Sequence, residues 1–299
     1  MTDTGWLWAA FTLIAALAQT ARNAMQRELT ATLGTVGATH VRFLFGFPFA
    51  ILFLIGVLLV TGRSLPRPGL MFWLWLLDGA GAQVLATALM LAAMGERSFV
   101  VAYAYIKTEP VQIAAFGLIF LGDALSLPIG VAIVIATAGV MVMSMRPGVS
   151  LLADLRPVLL GVGGGTMFAL SAIGYRGAIL SLDNPSFLLA ATFTVTLGLV
   201  LQAALLSLYL ALRDAEVLRT IARAWRPSLF AGFMGAFASE FWFLAFALTT
   251  AANVRTLGLI EVLFAQLVSV FIFGQRTTPR EALGIVLVVL GVMLLLWAT

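Results

Sequence analysis

Two glutamates in apolar segments, Glu109 and Glu261, are the residues of this sequence most suited to chemistry inside a membrane. An ionisable group in the hydrocarbon core costs about 2.5–3.5 kcal/mol on insertion scales, so its presence there indicates a function. The two acids lie 152 positions apart. Other residues recur at the same offset, namely Gly122 with Gly274 and Gly139–Met141 with Gly291–Met293. A duplicated membrane unit with a polar group near its midplane is typical of transporters.

Further polar residues accompany these acids within the apolar segments. Lys107 is two residues before Glu109 and points to a different helix face, so we do not expect these two to pair. Pro110 removes a backbone N–H and favours a kink or break in the same helix. We predict a gating or coupling role for five residues: Asp78, Lys107, Glu109, Pro110 and Glu261. A role in helix packing alone is the alternative for each of them.

Glu240 lies in the aromatic segment Phe237–Phe243, directly after Ser239. A carboxylate, a hydroxyl and aromatic faces on one stretch of helix suit an amphipathic ligand that carries an ammonium group. Aromatic side chains that only pack or face lipid are the alternative. We predict a substrate site formed by five residues: Gln83, Tyr103, Ser239, Glu240 and Trp242.

The composition identifies an integral membrane protein. The chain has 299 residues, of which 62% are hydrophobic and 10% charged, whereas a soluble domain has about 25% charged residues. Cysteine is absent and His40 is the one histidine, which argues against disulfides, a His-rich metal site and a Ser-His-Asp triad. We therefore expect no enzyme, no cofactor and no metal; a membrane-embedded enzyme or lipid-handling protein is a minor alternative. The net charge of +4 comes from arginines scattered between apolar runs, so we expect no nucleic-acid partner.

The fold class predicted is an all-α integral membrane protein with ten transmembrane helices. A helix needs about 20 apolar residues to cross the hydrocarbon core. The apolar runs between charged and Pro/Gly breaks fall at approximately 5–22, 38–61, 70–93, 99–120, 128–145, 157–180, 187–211, 228–250, 254–273 and 281–298. A membrane β-barrel would need alternating apolar and polar residues, and the run Ile285–Leu296 does not alternate.

The duplication predicts two five-helix repeats, residues 1–148 and 149–299. Because each repeat has an odd number of spans, tandem copies insert with opposite orientations and form an inverted repeat. Of the 16 arginines, 12 fall on the side of the loops that follow the odd-numbered spans. The positive-inside rule then places both termini outside the cytoplasm.

The end of each repeat resembles the EamA repeat of the drug/metabolite transporter superfamily, with a membrane Glu, an apolar run, a Gly-containing turn and a closing helix with a late glycine. The matching residues are Glu109-Pro110, Phe120–Ser126 and Gly139-Val140, then Glu261, Phe273–Thr277 and Gly291-Val292. The segment Thr39–Phe43 is also similar to the Arg-Phe helix start of the family. Asp123 and Gln275 stand where the family usually has Glu.

The resemblance implies a ten-helix bundle around a central cavity that opens alternately to the two sides of the membrane. Within the superfamily the chain is most similar to the YddG-type amino acid exporters. That similarity implies a multi-pass protein of the inner (plasma) membrane, which exports aromatic or other neutral amino acids, or similar small metabolites. We expect a monomer. A multidrug or cation efflux transporter of the same fold is the alternative. The family is expected to have cytoplasmic termini, in conflict with the arginine distribution.

Overall fold

The computed structural model describes residues 4–94, 105–144, 155–183, 186–271 and 277–299, and every regular element in these ranges is helical. The principal helices are α1 (Leu7–Leu44), α2 (Phe47–Thr61), α3 (Leu70–Met94), α4 (Glu109–Phe116), α5 (Leu127–Ser144), α6 (Leu155–Leu180), α7 (Phe187–Arg213), α8 (Ala215–Arg223), α9 (Trp225–Leu248), α10 (Ala251–Gly258), α11 (Glu261–Phe271) and α12 (Pro279–Ala298). A single π-helical turn, Gly117–Leu121, continues α4.

Seven helical segments of the described residues are long and apolar enough to cross a bilayer. They are Val36–Thr61, Leu70–Met90, Leu127–Ser144, Val158–Leu180, Phe187–Arg213, Trp225–Leu248 and Pro279–Ala298. The protein is therefore an all-helical, multi-pass membrane protein over the ranges described. The ten-helix inverted repeat stays a prediction, because the described parts of the first, fourth and ninth predicted spans do not form long apolar helices.

The first predicted span differs because α1 does not stop at residue 22 but continues to Leu44. Its apolar part is the shorter segment Leu7–Arg22. The polar stretch that follows, read from the sequence as a loop, consists largely of good helix formers such as Ala, Met, Gln, Arg and Glu. The chain changes direction at Gly34, whose φ of 67° is a conformation that glycine adopts without steric cost.

The fourth and ninth predicted spans are each interrupted, and the interruptions fall at equivalent positions of the duplication. Residues 107–108 form a turn before α4, and residues 259–260 form a turn before α11. The sequence predicted the first break from Pro110, and α4 indeed begins at Glu109 with Pro110 in its first turn. Proline is favoured there because that N–H has no helical acceptor. The second break occurs without a proline, since Val262 occupies the equivalent position.

The chain divides into two compact units, and each draws residues from both halves of the sequence. The first unit comprises 1–84 and 174–248, and the second comprises 85–173 and 249–299. The predicted repeat boundary between residues 148 and 149 therefore does not coincide with a boundary of the compact units. The internal duplication itself stays a prediction.

In the second unit, α5 and α12 pack closely along glycines. A Cβ on Gly139 would lie 2.7 Å from the carbonyl oxygen of Gly284, and a Cβ on Gly291 would lie 2.6 Å from the backbone nitrogen of Ala136. Small residues that let backbones approach this closely are a common means of helix association in lipid. Gly139 and Gly291 are the repeated glycines of the sequence, so this pair of closing helices explains why both copies carry one.

Candidate transport site

The two repeated acids form a crossed pair of salt bridges in the second unit. Glu109, at the start of α4, accepts two hydrogen bonds from Arg255 of α10, from Nε at 2.8 Å and from Nη2 at 2.9 Å. Glu261, at the start of α11, pairs with Lys107, which lies in the turn before α4. Each interrupted helix therefore supplies one cation and one acid. Each acid binds the cation of the other interrupted helix. The acid that pairs with Lys107 is thus Glu261 of the other interrupted helix.

The backbone around the two breaks repeats as well as the side chains. The N–H of Thr108 bonds the Tyr105 carbonyl at 3.1 Å, and the N–H of Ile260 bonds the Leu257 carbonyl at 3.0 Å. These bonds span three residues instead of the four of an α-helix, and they occupy equivalent positions of the duplication. Each break is thus a tight turn with its own hydrogen bonds, which gives α4 and α11 separate beginnings.

Three of the four charged residues in these pairs are held away from solvent, and Arg255 is half-buried. Glu109, Lys107 and Glu261 are 5%, 8% and 7% exposed. Removing one member of a buried pair leaves an uncompensated charge and costs about 3–5 kcal/mol. The crossed arrangement consequently holds the starts of the two broken helices together as long as both pairs are made.

A chain of polar side chains connects the α4 break to α6 within the same unit. Gln112 donates to the Thr108 hydroxyl at 3.1 Å, and the Thr166 hydroxyl donates to Gln112 Oε1 at 2.7 Å. Gly165 lies beside this chain, where a Cβ would be 3.1 Å from the carbonyl of Ile106. The glycine-rich start of α6 therefore serves close packing against the break.

Asp78, the remaining residue predicted for gating, belongs to the first unit and is exposed on α3. A Cβ on Gly174 would lie 2.7 Å from Asp78 Oδ2, so the carboxylate rests against the backbone of α6. The structure shows no ion pair for Asp78 within the described residues. Its gating role stays a prediction without a contact that supports it.

Three of the predicted substrate residues lie close together on α9 in the first unit. Ser239 accepts a hydrogen bond from Arg42 Nη2 at 3.5 Å, and Trp242 donates from Nε1 to Gln19 at 3.1 Å. Both partners come from α1. All three residues are buried, Glu240 at 8% exposure, so this part of α9 is a short polar stretch inside an otherwise apolar helix.

Glu240 is held from one side only. The Thr192 hydroxyl of α7 donates to Glu240 Oε1. Glu240 Oε2 is buried and has no hydrogen-bond partner within the described part of the chain. A buried carboxylate oxygen without a donor is costly, because it has lost its water and gained nothing in exchange.

The other two predicted substrate residues are Gln83 and Tyr103, and the structure describes the first of them. Gln83 Oε1 accepts hydrogen bonds from the Tyr175 hydroxyl at 3.3 Å and from Gln202 Nε2 at 3.0 Å. The Tyr175 ring contacts Phe243 of α9 with centroids 4.5 Å apart, which connects Gln83 to the helix of Glu240. Tyr103 lies outside the described residues. A substrate role for these five residues stays a prediction.

Sequence reasoning missed several residues that the structure places in these clusters. The main ones are Arg42, Thr192, Arg255, Tyr175 and Gln202. Arg255 could have been identified from the sequence, because it falls inside the predicted span 254–273. An arginine within a membrane span is expected to pair with an acid. Thr192 could not have been identified in this way, since a threonine in a transmembrane helix commonly bonds its own backbone. The Leu188 carbonyl oxygen lies 2.8 Å from the Thr192 hydroxyl and shares its one proton with Glu240.

An open cleft of about 660 Å³ lies elsewhere in the first unit, between the α2–α3 connection and the chain before α7. Its lining includes Arg63, Arg67 and Asp183, and it contains none of the predicted substrate residues. The candidate site therefore depends on buried polar contacts and not on this cleft.

Comparison with known proteins agrees with a transporter. Residues 155–297 match the model of the EamA-like transporter family. No curated protein sequence matches the chain. One solved structure, described as a crystal structure of a protein, has a TM-score of 0.71 at 16% identity, with 96% of this chain and 94% of that chain covered. At this identity the likeness extends to the fold alone.

The helical membrane fold and the family match support the same class of protein. Residues 155–297, just under half of the chain, are similar to the EamA-like transporter family, and that similarity indicates a membrane transporter of small molecules.

Proposed function

We propose that this protein exports amino acids, aromatic or other neutral ones first, or similar small metabolites, across the inner (plasma) membrane. Glu240 is the observation that carries the proposal. It is a buried acid with one oxygen held by Thr192 and the other without a partner in the described residues. A substrate ammonium would supply both the missing hydrogen bond and the compensating charge.

The aromatic residues around Glu240 favour a substrate with a bulky apolar side chain. Phe237 and Phe241 of α9 have ring centroids 4.8 Å apart, and Phe241 lies 5.7 Å from Phe11 of α1. Ligand sites of this kind are mostly apolar, with a few polar groups that fix orientation. An amino acid with an aromatic or other neutral side chain matches that composition.

Transport by alternating access, with the two predicted repeats rearranging, is the mechanism we propose. The broken helices α4 and α11 are the moving parts, because their starts depend on two salt bridges that can be made or lost together. Discontinuous helices at the substrate depth are a recurrent feature of secondary transporters. If transport is coupled to protons, a buried carboxylate is the carrier; a facilitator without coupling fits the same residues.

A multidrug or cation efflux transporter is the second candidate. The same acid and the same aromatic faces would bind a lipophilic cation.

The test is counterflow and uptake in proteoliposomes that contain the purified protein, with a panel of radiolabelled amino acids, with and without a pH gradient. Saturable transport of aromatic or neutral amino acids is expected, and the effect of the gradient decides on coupling. Transport of lipophilic cations with no transport of any amino acid would overturn the proposal in favour of drug efflux.

A further inference from the structure

We propose that the open cleft of the first unit binds the headgroup of a phospholipid that carries both a phosphate and a primary ammonium. Arg63 and Arg67 bind the phosphate, and Asp183 binds the ammonium. The cleft has a volume of about 660 Å³, which lies within the range of roughly 300–1,000 Å³ found for small-molecule sites. This site is separate from substrate transport, because none of the described substrate residues lines the cleft.

The cleft lies at the ends of membrane-spanning helices. The connection 62–69 joins the end of α2 to the start of α3, and both helices belong to segments that are long and apolar enough to span the bilayer. Across the cleft, Asp183 follows the end of α6, and Leu189 lies in the first turn of α7. Spans end where the hydrocarbon core ends, so the cleft is at the level of the lipid headgroups.

The two arginines of the cleft have no acid partner in the part of the chain that the structure describes. Arg63, Arg67 and Asp183 are all exposed, and the structure shows no hydrogen bond or ion pair for any of them among the described residues. A guanidinium presents its N–H donors in a planar fork that matches the oxygens of a phosphate. Two such groups at one cleft therefore favour a phosphate as the ligand.

The backbone that carries the two arginines is restricted. Gly62 ends α2 in the left-handed conformation, with a φ of 63°, as is common after the last turn of a helix. Pro66 and Pro68 fix their own φ angles, and Pro68 also disfavours a helical conformation of Arg67. A connection with few accessible conformations loses less entropy when its side chains bind a ligand.

Exposed apolar side chains next to the cleft favour a lipid over a soluble phosphate compound. Val60 at the end of α2 is 86% exposed, and Leu70 at the start of α3 is 74% exposed. They lie three residues before Arg63 and three residues after Arg67. Exposed apolar surface beside a polar site is typical of membrane contact. Acyl chains cover these side chains while the headgroup of the same lipid occupies the cleft.

Asp183 selects the kind of headgroup. Because its carboxylate lines the same cleft as the two guanidinium groups, a ligand with a phosphate alone leaves this acid without a partner. A primary ammonium has a positive charge and three N–H donors. The trimethylammonium of phosphatidylcholine has no N–H donor, and the glycerol of phosphatidylglycerol has no positive charge. Phosphatidylethanolamine is the lipid that matches all three charged residues.

The experiment measures lipid binding to the purified full-length protein in detergent, by native mass spectrometry over a series of lipid concentrations. It compares phosphatidylethanolamine, phosphatidylcholine and phosphatidylglycerol with the same acyl chains. Wild type should bind phosphatidylethanolamine about 3- to 5-fold more tightly than either of the others, as one exposed ion pair allows. Equal affinity for the three lipids overturns the inference, and this result requires no variant.

Variants then assign the two halves of the site. Arg67→Gln should weaken all three lipids about 5-fold, and the double variant Arg63→Gln with Arg67→Gln about 20-fold or more. Asp183→Asn should abolish the preference for phosphatidylethanolamine. The matched control is Arg213→Gln, since Arg213 is also exposed at the end of a span but does not line the cleft. An equal loss in Arg213→Gln and Arg67→Gln would show unspecific charge attraction and refute the site.

Two soluble competitors distinguish a lipid from a free phosphate compound. Glycerophosphoethanolamine has the same headgroup without acyl chains, and inorganic phosphate has neither chains nor ammonium. Neither should displace phosphatidylethanolamine when present at the concentration of the lipid. Displacement by either compound would assign the cleft to a soluble ligand and overturn the inference. All the replaced residues are exposed, so the variants should keep the wild-type midpoint of thermal unfolding in detergent.

Discussion

The second unit neutralises its buried acids Glu109 and Glu261 with Arg255 and Lys107. In the first unit, the one contact of Glu240 among the described residues is the Thr192 hydroxyl. Both arrangements place carboxylates away from solvent at similar depth of burial. A paired acid has its charge compensated by the protein, so its energy is lowest when the helices stay together. A buried carboxylate with one oxygen that accepts no hydrogen bond is stabilised most by a bound ligand that donates one. We infer that the paired region controls movement and the unmatched region controls binding.

The largest effect should come from breaking a crossed pair. Glu261→Gln leaves Lys107 buried without its acid, and the resulting charge costs about 3–5 kcal/mol. We expect the maximal transport rate in proteoliposomes to fall by about 100-fold or more and thermal stability to fall with it. The exchanged variant Lys107→Glu with Glu261→Lys should recover a large part of both, and no recovery would show that the charges act separately.

The next effect in size should come from the unmatched acid. Glu240→Gln removes a charge-assisted contact worth about 1.5–3 kcal/mol, so KM for phenylalanine should rise about 10-fold or more while the maximal rate changes little. Initial rates over a substrate series measure both quantities. A fall in the maximal rate at constant KM would place Glu240 with the gating residues instead.

A smaller effect is expected from the proline that first indicated the break. Pro110→Ala should change transport by only about 2- to 3-fold, because Pro110 sits in the first turn of α4 where alanine is also tolerated. The second break needs no proline, since Val262 occupies the equivalent position. A loss comparable to that of Glu261→Gln would mean that the proline itself maintains the break.

The smallest effect is expected on α8, outside the two regions compared. Glu216 pairs with Arg219 at 3.0 Å, and both side chains are well exposed. Such surface pairs contribute about 0.2–1 kcal/mol. Glu216→Gln should leave transport unchanged and shift the midpoint of thermal unfolding slightly, which makes it the matched control for Glu240→Gln.

The sequence allowed the long helices to be predicted well, because hydropathy reports membrane spans directly. The predicted run 70–93 agrees closely with α3, Leu70–Met94. The course of α1 beyond residue 22 was missed, since a polar segment of good helix formers looks like a loop on a hydropathy scale. The ninth-span break was also missed, because no proline or glycine stands at residues 259–260.

The site was predictable only in part for a related reason. Glu109, Glu240 and Glu261 were found because an acid in an apolar run is conspicuous by itself. Their partners were not found, since pairing between residues 146 or 154 positions apart depends on tertiary packing. The repeat offset of 152 residues related the two acids to each other, but it did not identify the cations that pair with them. Neither cation is repeated, because Lys107 corresponds to Leu259 and Arg255 corresponds to Tyr103.

The most direct test of this division of roles is a kinetic comparison in one set of proteoliposomes. Initial rates of phenylalanine counterflow would be measured over a concentration series for wild type, Glu240→Gln and Glu261→Gln. We predict a raised KM with a near-normal maximal rate for Glu240→Gln, and a depressed maximal rate with a near-normal KM for Glu261→Gln. The reverse pattern, or the same change in both variants, would contradict the separation of binding from movement.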